Sequence, residues 1–160
     1  MASRNRLASV IVGVLWCIVA LAGCSTEPTK LPSAGGSENT PTAARLAGTE
    51  WVLEDLGGTG VLDRVQATLT FPKDYVATEK ISGSGSCNRF MGGAKVAAGL
   101  IEVGPLATTQ MACAAAVMEQ ETRYLKALQA AERLVFDGPY LLLYAKGMEK
   151  PLRFIGKTGE

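Results

Sequence analysis

The chain has 160 residues, which is enough for one folded domain with tails, and its 16 basic and 15 acidic residues nearly balance. This balance lacks the basic patch that nucleic-acid binding requires, so we expect no nucleic-acid partner. The chain contains no histidine, which excludes Ser-His-Asp catalysis and histidine zinc sites; we expect no catalytic residues, no metal and no cofactor.

The first 24 residues have the parts of a bacterial export signal. Arg4 and Arg6 precede an apolar stretch that is shorter than the roughly 20 residues needed to cross a bilayer. The stretch ends in Leu-Ala-Gly-Cys at Cys24, which resembles the lipobox where lipoprotein signal peptidases cleave. We predict a signal peptide over residues 1–23 and lipidation of Cys24, which would anchor the protein to a membrane in the cell envelope, facing outside the cytoplasm. A retained transmembrane helix and an ordinary signal peptide are the alternatives.

Residues 24–44 are rich in Ser, Thr, Pro and Gly and contain one large apolar side chain, Leu31. Such a segment buries too little surface to offset the entropy of ordering, so we predict a disordered tether. The folded domain is then expected over residues 45–160.

Alternating apolar and polar residues predict short strands throughout this domain. The predicted strands are one around Trp51 and Leu53, one over 65–71, a hairpin of 93–96 with 100–103, a second hairpin of 133–136 with 140–144, and a closing strand over 152–155.

One helix is predicted between the two hairpins, from Ala114 to about Ala131, because Val117, Tyr124 and Leu128 recur at helical spacing. Glu119 and Arg123 are predicted to form an i,i+4 pair on its outer face. The expected fold class is mainly β (α+β), a small antiparallel rolled sheet or barrel with one packed helix.

Two segments carry a more specific pattern. The first is Gly-Ser-Gly-Ser-Cys-Asn-Arg-Phe-Met-Gly-Gly over 83–93, and the second is Gly-Pro-Leu-Ala-Thr-Thr-Gln-Met-Ala-Cys over 104–113. With Trp-Val-Leu at 51–53 and Leu-Thr-Phe at 69–71, they resemble the META domain, the family of the heat-shock lipoprotein HslJ. Lys95 and Val96 depart from the family, in which a tyrosine commonly follows the glycines. The resemblance implies a small barrel-like sheet with one helix, an association with envelope stress and antibiotic tolerance, and no established enzymatic activity.

Several residues in these segments have both a functional and a structural interpretation. Gly83-Ser84-Gly85 lacks the Lys-Ser/Thr of a phosphate-binding loop and is better explained as a bulge or tight bend. For Asn88 we favour a structural role over ligand binding, either in a left-handed conformation or hydrogen-bonded to nearby backbone. Thr108 and Thr109 fit strand propensity, since no base is available to activate them. The sulfur-bearing residues lack the spacing of a metal motif; they are Cys87, Cys113, Met91, Met111 and Met118.

We predict a disulfide between Cys87 and Cys113. Once Cys24 is lipidated, they are the only two free thiols of the exported chain, and each lies in one of the two distinctive segments. The alternative is a pair of buried reduced cysteines.

Two functions remain open at this level. The first is a non-catalytic envelope lipoprotein, expected to be a monomer, that binds an envelope protein or glycan. The second is a carrier of a small apolar ligand in a lipocalin-like interior, lined by an aromatic and leucine set: Phe71, Tyr75, Phe90, Tyr140, Leu142, Tyr144 and Phe154. A large internal void would favour the carrier, and a filled interior with one exposed apolar patch would favour a partner surface.

Overall fold

The computed structural model describes residues 38–157. The predicted signal peptide, Cys24 and the tether up to residue 37 lie outside the described residues. Within residues 38–157, no helix has the length and apolar character to cross a membrane.

The described chain forms a closed antiparallel barrel in which each strand pairs with the next and the last pairs with the first. The strands are β1 (Thr49–Leu56), β2 (Thr68–Phe71), β3 (Lys80–Ser84), β4 (Arg89–Ala97), β5 (Leu100–Thr108), β6 (Ala131–Asp137), β7 (Tyr140–Ala145) and β8 (Leu152–Gly156). The helices are α1 (Ala43–Leu46), α2 (Tyr75–Thr78) and α3 (Ala115–Gln129). The predicted mainly β fold with one substantial packed helix is confirmed.

Alternation along the strands sorts side chains between the interior and the outer face. In β2, Leu69 and Phe71 are buried, while Thr68 and Thr70 lie on the partly exposed side. In β7, Leu141 and Leu143 point inward between half-exposed neighbours. From α3, Tyr124 and Leu128 join this interior, and the Tyr124 hydroxyl donates to the Thr68 carbonyl at 3.0 Å.

The chain before β1 is packed on the barrel. The backbone N–H of Phe136 donates to the carbonyl of Asn39 at 2.9 Å, and that of Gly99 donates to Pro41 at 3.0 Å. The Arg45 guanidinium lies 4.4 Å from the centre of the Phe136 ring. The packed chain therefore includes residues 38–44, which the sequence pattern assigned to the tether. The polar composition of residues 38–44 gave no sign of this packing, because their hydrogen-bond partners lie far along the chain.

Two other local expectations are corrected. The Arg123 guanidinium bonds the Thr59 hydroxyl at 2.5 Å, and the two ion pairs found among the described residues do not include a pair with Glu119. Of the two structural roles considered for Asn88, the left-handed conformation is not observed, and the positive φ of that turn, 109°, belongs to Ser86; the Asn88 side chain bonds the Met111 backbone instead.

Candidate functional site

The barrel interior is filled by its own side chains. Phe71, Tyr124, Leu143 and Phe154 are each 0 % exposed. A side chain of zero exposure does not line a void that holds water, because its surface would then be accessible to that water. These residues therefore leave no ligand cavity around them.

The predicted aromatic and leucine set is divided between two faces. Phe71, Tyr75, Phe90 and Phe154 are buried in the core, whereas Tyr140, Leu142 and Tyr144 are half-buried positions alternating with the buried residues of β7. Arg133 stacks over the Tyr144 ring at 3.7 Å, and Arg153 lies 5.1 Å from the Tyr140 ring centre. The set is thus not the lining of one cavity.

An open depression lies on the outer face of β1 to β5. One register row crosses all five strands, since Glu50 pairs with Thr70, Thr70 with Ser82, Ser82 with Met91, and Met91 with Ala107. A parallel row joins Thr68, Ser84, Arg89 and Thr109 through Ser84–Arg89 pairing and side-chain hydrogen bonds. We call the surface formed by these nine residues the hydroxyl trough.

Side-chain length explains the depth of the hydroxyl trough. The floor consists of short Ser and Thr side chains of β2 and β3, while Glu50 on β1 and Arg89 and Met91 on β4 are long. At about 4.8 Å between strands, β1 and β4 are roughly 14 Å apart. The open space over the whole trough, including its β5 side, is about 940 Å³.

A second groove of about 580 Å³ adjoins the trough and shares Met91 and Ala107 with it. Its lining includes Gly92, Gly93 and Pro105. Glu79, Lys80, Lys95 and Glu102 add charges of both signs to that lining. Met91 therefore stands on the boundary between a hydroxyl-lined surface and a groove with charged residues of both signs.

The chemistry of the trough is suited to binding. Its carboxylate, Glu50, is ion-paired with Lys157 at 3.2 Å. Arg89 is exposed and takes part in neither of the ion pairs found among residues 38–157. The hydroxyl groups donate and accept hydrogen bonds, and Arg89 adds a cation that carboxylate or phosphate groups match.

The most buried polar cluster joins the β3–β4 turn to α3. One carboxylate oxygen of Glu121 accepts from the backbone N–H groups of Cys87 at 3.1 Å and Asn88 at 2.5 Å. Its other oxygen accepts from the Asn88 side-chain amide at 2.7 Å. The side-chain amide oxygen of Asn88, Oδ1, in turn accepts from the Thr109 hydroxyl at 3.0 Å and the Met111 N–H at 2.7 Å. We call this network the Asn88–Glu121 clamp.

The bonding of Asn88 supports the structural interpretation of this residue, because its amide atoms are already committed within the protein. Gly85 is required beside it, since a Cβ there would lie 2.6 Å from a Glu121 carboxylate oxygen. Gln120 connects the β3–β4 turn to the loop between β1 and β2. Its side chain donates to the Ser86 hydroxyl at 2.9 Å and accepts from the Leu62 N–H at 2.7 Å.

The sequence interpretation assigned no individual role to Gln120 or Glu121. A signal was present for Glu121, which lies at helical spacing between Val117 and Tyr124 and so belongs to the inward stripe of α3. A carboxylate on that stripe must be buried with hydrogen-bond donors.

Cys87 and Cys113 form a disulfide with their Cα atoms 6.1 Å apart. It joins the β3–β4 turn to the segment before α3, the same two regions that the Asn88–Glu121 clamp connects. Both sulfurs are committed to each other, so this site holds no thiolate for metal binding. The methionines nearest in sequence, Met91 and Met111, are both exposed.

The other residues considered as candidates, Gly83, Thr108 and Thr109, have structural roles. Gly83 lies in β3 where an added Cβ would meet the Thr68 carbonyl oxygen, so it permits a close approach of two strands. Thr108 ends β5. Thr109 follows it and uses its hydroxyl in the clamp and to accept from the Arg89 N–H at 3.1 Å.

The chain belongs to the META domain family, whose family model matches residues 44–158. It is similar to a protein from Burkholderia xenovorans solved by NMR, with 26 % identity and a TM-score of 0.61 over 79 % of this chain and 95 % of the other. A second NMR structure shows 27 % identity and a TM-score of 0.57 over 72 % of this chain and 94 % of its own. No curated protein shows significant similarity to the chain.

Proposed function

We propose that this protein is a membrane-anchored envelope lipoprotein whose META domain binds another envelope component, a protein or a glycan, without catalysing a reaction on it. We place the binding surface at the hydroxyl trough. The observation that carries the proposal is the contrast between a filled barrel interior and an open outer depression of about 940 Å³.

The anchor is proposed from the sequence around Cys24, and a role in envelope stress or antibiotic tolerance from the family association. The non-catalytic role is supported by the chemistry of the trough: its carboxylate, Glu50, is held in an ion pair with Lys157, and the chain has no histidine to activate the hydroxyl groups. A carrier function is disfavoured, because the interior side chains Phe71, Tyr124, Leu143 and Phe154 have no exposed surface that could line a cavity.

Photo-crosslinking in living cells tests the proposal. A photoreactive amino acid replaces Ser82 in the centre of the trough, and in a control strain it replaces Glu132, which is exposed on β6. We expect a discrete adduct from position 82 and none from position 132. Mass spectrometry, with protease and glycan-hydrolase digestion of the adduct, distinguishes a protein from a glycan. Equal adducts at both positions, or none at position 82, would contradict the proposal.

A further inference from the structure

Met91 is an apolar side chain that the fold leaves uncovered. It is 65 % exposed, more than any other large hydrophobic residue of the described chain. Its cross-strand neighbours on β3 and β5 are Ser82 and Ala107, which are too short to cover it. The next residues, Gly92 and Gly93, add no side chain.

The other methionines of the described chain differ in their environment. Met111 is 60 % exposed, whereas Met118 and Met148 are partly buried. The Met148 methyl group lies against Gly57, where an added Cβ would clash with it. Residues 38–157 therefore contain two accessible and two sheltered thioethers, which allows an internal comparison of their reactivity.

We infer that Met91 is a site of reversible oxidation by peroxide, and that its sulfoxide converts the wall shared by the two outer grooves from apolar to polar. The thioether sulfur attacks one peroxide oxygen, an S–O bond forms and the O–O bond breaks. The sulfur is oxidised by two electrons, and the departing hydroxide takes the proton of the new S–OH group, which leaves the sulfoxide and one water molecule. Methionine sulfoxide reductases reverse the change.

The surroundings of Met91 are suited to both the thioether and the sulfoxide. Ser82 lies opposite in the register, and Arg89 lies two residues earlier on the same face of β4. Hydroxyl and guanidinium groups are hydrogen-bond donors, and the sulfoxide oxygen is an acceptor that the thioether lacks. Oxidation thus exchanges an apolar contact surface for a polar one without burying an unpaired group. The effect on binding rests on the proposed function, whereas the modification itself does not.

Peroxide titration of the purified protein tests the modification. Sulfoxide at each methionine is quantified by peptide mass spectrometry after limiting hydrogen peroxide. We expect Met91 and Met111 to react about fivefold faster than Met118 and Met148 in the folded protein, and all four to react at similar rates in denaturant. Equal rates at Met91 and at the two sheltered methionines of the folded protein would overturn the inference.

The crosslink from position 82 tests whether oxidation of Met91 changes partner binding. We expect peroxide treatment of cells to change the adduct yield at least about threefold, and Met91→Leu to give the same yield with and without peroxide. The readout is the ratio of the two yields, so the untreated yield of the variant does not enter it. Met111→Leu is the matched control and should remain sensitive. Sensitivity that persists in Met91→Leu would overturn the role of Met91. If position 82 gives no adduct at all, the proposed binding function fails. The relative oxidation rates of the four methionines then decide by themselves whether Met91 is a modification site.

Discussion

The side-chain amide of Asn88 donates to the carboxylate of Glu121 at 2.7 Å, and both residues are buried although 33 positions separate them in the sequence. Together with two backbone N–H donors, this contact satisfies a buried carboxylate without a cationic partner. The clamp holds the β3–β4 turn, the end of β5 and α3 together. The geometry of one end of the hydroxyl trough therefore depends on residues that lie beneath its surface.

Glu121→Gln should lower the free energy of unfolding by about 2–3 kcal/mol, because the new amide group would face backbone N–H donors and leave one of them unpaired. Urea unfolding measures the change. Glu119→Gln is the matched control, since Glu119 is exposed on the same helix, and it should change stability by no more than about 0.5 kcal/mol. Equal unfolding free energies for the two variants would refute the importance of the clamp.

Replacing Cys87 and Cys113 together by serine should lower stability by roughly 3.5 kcal/mol, the chain-entropy value for a closed loop of this size. We expect the variant to remain folded at room temperature, because the Asn88–Glu121 clamp still connects the same two segments. Chemical denaturation gives the stability, and far-UV circular dichroism reports the retained barrel. A variant as stable as the oxidised protein would show that the disulfide contributes nothing.

Several elements were predictable from local pattern alone. The hairpin of β6 and β7 was expected from two apolar runs around Asp-Gly-Pro, and α3 from its helical spacing; both occur within a few residues of the expected positions. In each case the residues that determine the element are its own neighbours in sequence. The predicted disulfide is present for a similar reason, since few cysteines were available to pair.

Features that depend on distant residues were not predictable in this way. β3 contains Gly83 and two serines, a composition typical of a bend, yet β4 pairs with it along its whole length. The hydroxyl trough requires the register of five strands, which no single segment encodes. Glu121 belongs to an apolar stripe by position, but its donors come from a turn more than thirty residues earlier.

Cys24→Ala should block lipid modification and maturation, since the lipoprotein peptidase requires a modified cysteine at its cleavage site. The measurement is phase partitioning in a detergent that separates lipidated from soluble protein, together with the mass of the product. Cys17→Ala is the control, because Cys17 lies within the predicted signal peptide and should not affect anchoring. A Cys24→Ala protein that is processed and partitions like wild type would disprove lipidation.

Alkaline pH should destabilise the domain through its buried tyrosines. Burial raises the pKa of Tyr75 from 10.0 to about 12, with a further contribution from the negative charge of Glu79. Burial also raises the pKa of Tyr124 well above its ordinary value. A pKa that is higher in the folded state means that the folded protein holds the phenolic proton more tightly than the unfolded chain does. This contribution to stability is therefore complete below pH 10 and is lost as the pH rises through 12.

Urea unfolding at pH 9 and at pH 11.5 measures this loss. Tyr75→Phe provides the comparison, because it removes the titrating group while keeping the ring that packs edge-on against Phe71. At pH 9 the variant should be about 1 kcal/mol less stable, since it lacks the hydrogen bond that the Tyr75 hydroxyl donates to the Ala94 carbonyl at 2.8 Å. Between the two pH values it should lose less stability than the wild type. If both proteins lose the same amount, the ionisation of Tyr75 is not linked to unfolding.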